Sequence, residues 1–163
     1  GVRLLGFDPY VSSGHEKAVG YERCLSLPEL LNRSDIVSIH CPLTSETRGM
    51  INDRFLAAMR PGGILVNTAR GGILSDLNGL ETALRSGQLG ALGLDVLPEE
   101  PPNFEHPLIK AWKSNESWLG GRFILSPHTG YFSDDAWTEM RFKAAETAKL
   151  FLENGVLRNQ ILG

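Results

Sequence analysis

Short apolar runs alternate along the chain with segments whose apolar residues recur every three or four positions. The runs are rich in Val, Ile, Leu and Phe and end at turn-forming or polar residues, a pattern typical of buried strands. The predicted strands cover residues 2–7, 21–25, 36–40, 63–68, 91–96 and 123–125. The run at 21–25 is the weakest of them, and we interpret it as an edge strand.

Helix-capping residues precede the amphipathic segments. Ser26, with Glu29 three residues later, forms a capping-box pattern. The other predicted caps are Asn52, Ser75 and Ser133. The apolar faces of the helices that follow carry Phe55, Leu56 and Met59; then Leu77, Leu80 and Leu84, ended by Gly87; and finally Trp137, Met140, Ala144, Ala148 and Phe151. We find neither an internal repeat nor a low-complexity tract.

Strands separated by helices of this length need crossover connections, so the fold class is α/β, with a doubly wound, mostly parallel sheet of the Rossmann type. In such sheets, ligands bind beyond the carboxyl ends of the strands. The residues at these predicted strand ends are Asp8, His40, Cys41, Pro42, Thr68, Ala69, Arg70, Asp95, His128 and Gly130. Five of the six predicted strands thus direct polar or ionisable groups toward one rim.

Composition narrows the choice of partners. The 163 residues suit one domain, and 42% of them are apolar, enough for a sizeable core. A formal charge of -3 without a basic run argues against nucleic acid and anionic membranes. No apolar stretch would span a bilayer, so a cytoplasmic protein is expected. Cys24 and Cys41 lack a metal-type spacing, and the four histidines are scattered, so we expect no metal site.

Several motifs together resemble the nucleotide-binding domain of the D-isomer-specific 2-hydroxyacid dehydrogenases. They are, in order, LLGFDPY, SDIVSIHCPLTSETRGMI, MRPGGILVNTARGG, GALGLDVLPEEP and ILSPHTG. The resemblance extends over nearly the whole chain. The stretch SPHTGYFSDD and the helix after it are also similar to the branch that contains the C-terminal-binding-protein corepressors.

The resemblance implies NAD as the cofactor. Asp8 would accept hydrogen bonds from the adenosine ribose and repel a 2'-phosphate, which favours NAD over NADP. Asp95 corresponds to the family residue that contacts the nicotinamide amide, although an aspartate at a strand end could equally cap a turn. The remaining residues that would line the cofactor are His40, Cys41, Pro42, Thr68, Ala69, Arg70, His128 and Gly130.

The resemblance also implies three catalytic residues that interconvert a D-2-hydroxy acid and its 2-keto acid. Arg70 would hold the substrate carboxylate through its two-pronged guanidinium, with Gly71 and Gly72 removing bulk beside it. His128 would exchange the proton, because histidine titrates near neutrality. Glu100, which precedes Pro101, would orient the imidazole; Glu99 is expected to be solvated.

The chain departs from the family pattern at both ends. The G-x-G-x-x-G turn, its strand and its helix are not in this sequence, and neither is a substrate domain. We therefore expect residues 1–163 to form a partial dinucleotide-binding domain, with 155–163 leading back toward the substrate domain. The intact parent is expected to be a homodimer. The isolated fragment should bind NAD weakly and turn over nothing measurable.

Two questions stay open at the level of sequence. Residues 102–122 form a long connection that contains Trp112 and Trp118. These tryptophans could cover the active site, contact another subunit or, as we prefer, anchor a surface loop through local hydrophobic packing. The function could be that of a dehydrogenase, of an NAD(H)-sensing corepressor-like scaffold, or of a binding module without chemistry. The triad argues against the last of these but does not separate the first two.

Overall fold

The computed structural model describes residues 1–158 and 160, which divide into two compact units, Gly1–His128 and Thr129–Gly163. The strands of the first unit are β1 (Leu5–Gly6), β2 (Glu22–Arg23), β3 (Ile36–Ile39), β4 (Gly63–Asn67), β5 (Leu89–Leu94) and β6 (Phe123–Leu125). Its helices are α1 (His15–Val19), α2 (Leu27–Arg33), α3 (Asp53–Ala58), α4 (Asn78–Ser86) and α5 (Pro107–Lys113), with a 3-10 turn at Gly71–Ile73.

All strand pairs are parallel, which confirms the predicted fold class. One sheet has the order β3-β4-β5-β6, and β1 and β2 form a separate two-stranded sheet. Helices α2 to α5 contribute buried residues to a core shared with the larger sheet, whose central strands bury Leu65, Leu92 and Leu94 almost completely. Buried and half-buried residues alternate along β4, because successive side chains of a strand point to opposite faces of the sheet.

Three of the four predicted caps are confirmed by hydrogen bonds. The side chains of Ser26, Asn52 and Ser133 accept the backbone N–H of Glu29, Phe55 and Ala136, respectively. Ser75 is not a cap. The Asp76 carboxylate, one residue later, accepts both Asn78 N and Gly79 N, at 2.8 and 3.0 Å, and so takes that role at the start of α4.

The sequence reading also missed or shifted several elements. Helices α1 and α5 and the 3-10 turn were not predicted, the two strands of the small sheet are shorter than expected, and β5 begins and ends two residues before the predicted 91–96. Helix α5 was missed because the segment around it is rich in Pro, Asn and Gly. His106 caps it, accepting Leu108 N through Nδ1, and its Nε2 lies 3.0 Å from Asn78 Oδ1.

The amino-terminal side of the larger sheet is closed by side chains. Gln88 Nε2 donates to the carbonyls of Leu56 and Met59, both at 2.9 Å, and thereby satisfies the end of α3. Arg122, just before β6, donates to the carbonyls of Leu84 and Trp118 at 3.1 and 2.8 Å. With this side occupied by structural contacts, the opposite edge is left for a ligand.

The second unit contains α6 (Asp134–Asn154), one helix of 21 residues that ends at Gly155 in the left-handed conformation. Tyr131, Phe132 and Trp137 form a chain of tilted and edge-on ring contacts before and within its first turn. The expectation that residues 155–163 lead to another domain falls partly on residue 159 and residues 161–163, which lie outside the described residues. Among the described residues, no helix is long and apolar enough to cross a membrane.

Candidate active site

The carboxyl ends of β4, β5 and β6 are joined by backbone hydrogen bonds. Asp95 N donates to Asn67 O at 3.0 Å, and His128 N donates to Asp95 O at 2.9 Å. Three of the predicted strand ends therefore meet at one edge, as parallel topology requires. Asp95 is buried, and its Oδ1 accepts the Ser126 hydroxyl at 2.6 Å.

The Arg70 segment is held by a buried asparagine. Asn67 is fully buried at the end of β4; its Oδ1 accepts Ala69 N and its Nδ2 donates to Arg70 O, both at 3.0 Å. These two bonds fix the turn that carries Thr68, Ala69 and Arg70. The guanidinium is exposed and donates to Ala69 O at 2.6 Å, and no carboxylate among residues 1–158 and 160 pairs with it.

Gly71 brings the Arg70 segment against the loop that follows β5. A Cβ at this glycine would stand 1.7 Å from Leu97 O, a backbone atom that cannot move aside. At Gly72 a Cβ would meet the Leu43 side chain at 2.9 Å, and Gly72 O accepts Gly49 N. The two glycines thus allow close packing of three loops, which extends the expectation that they remove bulk beside the arginine.

Glu100 and His128 are brought together across 28 positions of sequence. Glu100 Oε2 lies 2.9 Å from His128 Nδ1, and Glu100 Oε1 accepts Leu97 N at 2.9 Å. Both side chains are half-exposed, at 40% and 45%. The hydrogen bond from His128, followed by that from Leu97 N, outweighs burial and lowers the pKa of the Glu100 carboxyl. Glu99 is exposed, as expected.

The backbone of His128 adopts an uncommon conformation. Its φ is 55°, in the left-handed region, where a residue with a Cβ carries a cost of about 1–2 kcal/mol. The bonds from His128 N to Asp95 O and Ser126 O hold it there. Such positions concentrate at functional sites, and here the turn directs the imidazole back toward Glu100.

The remaining predicted cofactor residues lie at the ends of β1 and β3. Asp8 is exposed, and its Oδ1 accepts Tyr10 N at 2.8 Å. Cys41 is half-buried; burial, with a smaller contribution from the nearby Asp8 charge, raises the pKa of its thiol. His40 Nε2 lies 2.8 Å from Ser38 Oγ, and Pro42 O accepts the Thr47 hydroxyl at 2.6 Å.

Gly130 belongs to the second unit and directly follows Thr129, whose carbonyl accepts Phe132 N. Sequence reasoning listed neither Asn67 nor Ser126 among the site residues, although both hold the site in shape. An asparagine closing an apolar strand is the signal that could have identified Asn67. Ser126 carries no comparable signal.

Comparisons with known proteins identify the family of the chain. Residues 1–130 match the family described as D-isomer specific 2-hydroxyacid dehydrogenase, NAD binding domain. The chain belongs to this family. NAD, the predicted cofactor, is confirmed as the cofactor of the family, and the exposed Asp8 carboxylate at the end of β1 is chemically suited to ribose hydroxyls.

Three similar proteins illustrate the range of the family. The chain is 38% identical over 125 residues to the Haemophilus influenzae protein named "Putative 2-hydroxyacid dehydrogenase", covering 77% of this chain and 38% of that protein. It is 33% identical over 148 residues to C-terminal-binding protein 1 of Caenorhabditis elegans, covering 90% and 19%, respectively. The glyoxylate reductase structure from Paecilomyes thermophila superposes with a TM-score of 0.81 at 30% identity, covering 98% of this chain and 44% of that one. The chain thus spans less than half the length of each of these relatives.

Proposed function

We propose that this domain acts within a longer protein that interconverts a D-2-hydroxy acid and its 2-keto acid with NAD. The observation that carries the proposal is the contact of His128 Nδ1 with Glu100 Oε2 at 2.9 Å, at the same sheet edge as Arg70. A histidine oriented by a carboxylate is the arrangement that proton transfer to a developing alkoxide needs. When bound, NAD supplies the hydride acceptor or donor.

In this proposal, Glu100 fixes the imidazole through Nδ1, so that Nε2 is the nitrogen that exchanges a proton with the substrate oxygen. The lowered pKa of Glu100 keeps that carboxylate charged near neutral pH, so it remains a hydrogen-bond acceptor for the N–H at His128 Nδ1. Because Glu100 also accepts Leu97 N, the carboxylate itself is oriented by the backbone.

Arg70 is the proposed carboxylate anchor. Its guanidinium is exposed and, within the described part of the chain, unpaired with any acid, so its charge is available to an anionic ligand. A planar fork of N–H donors matches a carboxylate in a way that lysine does not. The contact of Gly71 with Leu97 keeps the arginine segment adjacent to the loop that carries Glu100.

The cofactor roles follow the strand ends. Asp8 is proposed to bind the adenosine ribose and Asp95 the nicotinamide amide, while His40 and Cys41 are proposed to line the adenine side through backbone and packing. The other proposed cofactor residues are Pro42, Thr68, Ala69, Arg70, His128 and Gly130. The protein that contains the domain is further proposed to be a cytoplasmic homodimer with a small-molecule substrate. Residues 1–163 in isolation are proposed to be inactive.

The test is NADH oxidation by the complete protein against a panel of 2-keto acids. We expect His128→Ala to lower kcat/KM by about 10²- to 10⁴-fold, the usual contribution of general acid–base catalysis. Arg70→Lys should raise the KM for the keto acid by a larger factor than the Kd for NADH, because lysine lacks the two-pronged contact with the carboxylate. Full activity of His128→Ala would refute the assigned role.

A second function is favoured by one observation, the 33% identity to C-terminal-binding protein 1 over 90% of the chain. In that alternative, the domain senses NAD(H) for a corepressor-like scaffold, and the triad is retained without a metabolic role. Peptide binding that responds to NADH, in a protein that reduces none of the keto acids, would favour the scaffold.

A further inference from the structure

An apolar pocket adjoins the Glu100–His128 pair. It has a volume of about 430 Å³ and opens within the first unit, between the end of β6, the loop after β5 and α5. Its lining is almost entirely carbon, and its ionisable groups are Asp95, Glu100 and His128. The apolar walls come from Leu97, Pro101, Pro102, Phe104, Trp112 and Leu125.

The walls of this pocket stand on fixed elements. Trp112 projects from α5 and packs on the buried Phe123 ring, with centroids 6.5 Å apart and planes tilted by 60°. Helix α5 is anchored in turn by its buried residues Leu108 and Ile109. Phe104 lies with its ring centroid 5.5 Å from the Lys113 ammonium, a cation–π distance.

Two large aromatic side chains of this pocket remain open to solvent. Phe104 is 52% exposed and Trp112 is 37% exposed. Exposed aromatic surface that surrounds a few convergent polar groups is the usual composition of a small-molecule site. The volume is within the range of such sites, about 300–1,000 Å³.

We propose that this pocket holds the side chain of the substrate, and that the substrate is a 2-keto acid with a bulky apolar, preferably aromatic, side chain. This inference rests on the proposed function. A keto acid whose C2 oxygen faces the imidazole and whose carboxylate faces Arg70 has one remaining substituent, and the apolar pocket begins at the same imidazole. A methyl group would leave Phe104 and Trp112 exposed, whereas a benzyl group would cover them.

The kinetic test compares phenylpyruvate with pyruvate in the complete protein with NADH. We expect phenylpyruvate to have the higher kcat/KM. Phe104→Ala should lower the ratio of the two kcat/KM values by about tenfold or more, since apolar pockets discriminate by about 10- to 200-fold. Phe104 is half-exposed, so its loss should leave the fold intact, and Phe104→Leu should keep part of the preference.

Trp118 provides a matched control. Trp112→Leu should reduce the preference for phenylpyruvate, and Trp118→Leu should not. Both tryptophans lie in the 102–122 connection, but the Trp118 ring stacks under the Arg85 guanidinium at 3.8 Å, at the opposite end of the sheet. Equal loss of activity toward both keto acids in the Trp112 and Phe104 variants would overturn the pocket assignment.

A binding measurement separates this inference from the proposed reaction. In a Trp118→Phe, Trp137→Phe background, Trp112 is the single tryptophan of residues 1–163. The fluorescence of the complete protein should then change with D-3-phenyllactate but not with D-lactate, and Trp112→Phe should abolish the change. A response without keto-acid reduction supports the pocket and refutes the reaction. If the protein reduces keto acids but shows neither a fluorescence response nor altered selectivity in Phe104→Ala, the pocket assignment is refuted and the reaction is supported. If it shows neither keto-acid reduction nor a fluorescence response, both proposals are refuted.

Discussion

The two sheets of the first unit are stabilised in different ways. In the larger sheet, Leu65 and Leu92 are almost completely buried, whereas beside the smaller sheet Val2 and Leu4 are 90% and 61% exposed. The smaller sheet is tied to α2 mainly by polar contacts: Arg33 forms ion pairs with Glu22 in β2 and with Glu29. Exposed ion pairs contribute little to stability compared with buried leucines.

This difference separates the two halves of the proposed site. Arg70, Glu100 and His128 follow strands of the apolar sheet, while Asp8 follows a strand of the polar one. The proposed substrate side is thus rigidly supported, and the proposed adenosine side has a lower local stability. Variants in the two sheets test this contrast.

The largest expected effect comes from truncating a core leucine. Leu65→Ala, at a fully buried position in β4, should lower the free energy of unfolding by about 2–5 kcal/mol because it leaves a cavity. Leu4→Ala, next to β1, should change it by no more than about 0.5 kcal/mol. Urea denaturation of the two variants measures this difference. Equal losses of unfolding free energy would contradict the proposed difference in stability between the two sheets.

A smaller effect is expected where glycines pack closely. Gly71→Ala forces a Cβ against the Leu97 carbonyl at 1.7 Å and should cost about 1–3 kcal/mol. Gly6→Ala in β1 is its matched control: the new methyl meets the Tyr21 ring at 2.6 Å, and that side chain is half-exposed and can rotate away. Thermal melts of the pair should therefore show a lower Tm mainly for Gly71→Ala. A larger loss in Gly6→Ala would mean that the small sheet is the more tightly packed one.

The smallest effect concerns pH. The hydrogen bond from Arg33 lowers the pKa of Glu22, and the bond from Leu25 N, followed by that from Arg33, lowers the pKa of Glu29. A lowered pKa means that the folded state binds the proton less readily than the unfolded chain does. The resulting stabilisation is complete above the ordinary glutamate value of 4.5 and is lost as the pH falls through the lowered values.

Amide hydrogen exchange, corrected for intrinsic rates, measures this effect locally. When the pH falls from 6 to well below 4.5, protection at Glu22 N and Cys24 N, which bond to Leu4 O and Gly6 O, should fall, while protection in β4 and β5 should persist. Arg33→Gln should reduce the pH dependence in the small sheet, and the remainder should come from the bond between Leu25 N and Glu29. Uniform loss of protection across both sheets would contradict a local role for the Arg33 pairs.

Local signals in the sequence predicted most of the fold. Caps such as Ser26 and Asn52 act within one turn of helix, and strand periodicity depends on immediate neighbours, so both are readable from short windows. The Ser75 prediction failed because the adjacent Asp76 offers a charged oxygen, and single-sequence reasoning does not rank two neighbouring capping candidates. Helix α5 is short and depends on tertiary burial of Leu108 and Ile109, which a local pattern does not reveal.

The candidate site also has features that could be predicted from the sequence and features that depend on the tertiary fold. Parallel topology places all carboxyl strand ends at one edge, so the neighbourhood of Asp95, Arg70 and His128 follows from the order of elements. The pairing of Glu100 rather than Glu99 with the imidazole came from the family resemblance, and the structure has this contact. Trp112 and Trp118 could not be separated by sequence, because only the path of the connecting chain sends one to the pocket and the other to the far end of the sheet.

The contact between Gly71 and Leu97 sets a rule for redesign. The Leu97 carbonyl occupies the space that a side chain at position 71 would need, so the loop at Leu97 and the loop at Gly71 cannot change length independently. Inserting a residue near Leu97 to enlarge the pocket would also displace the Arg70 guanidinium, because the segment that carries Arg70 packs against Leu97. A loop graft should therefore replace the segment at Gly71 and the segment at Leu97 together.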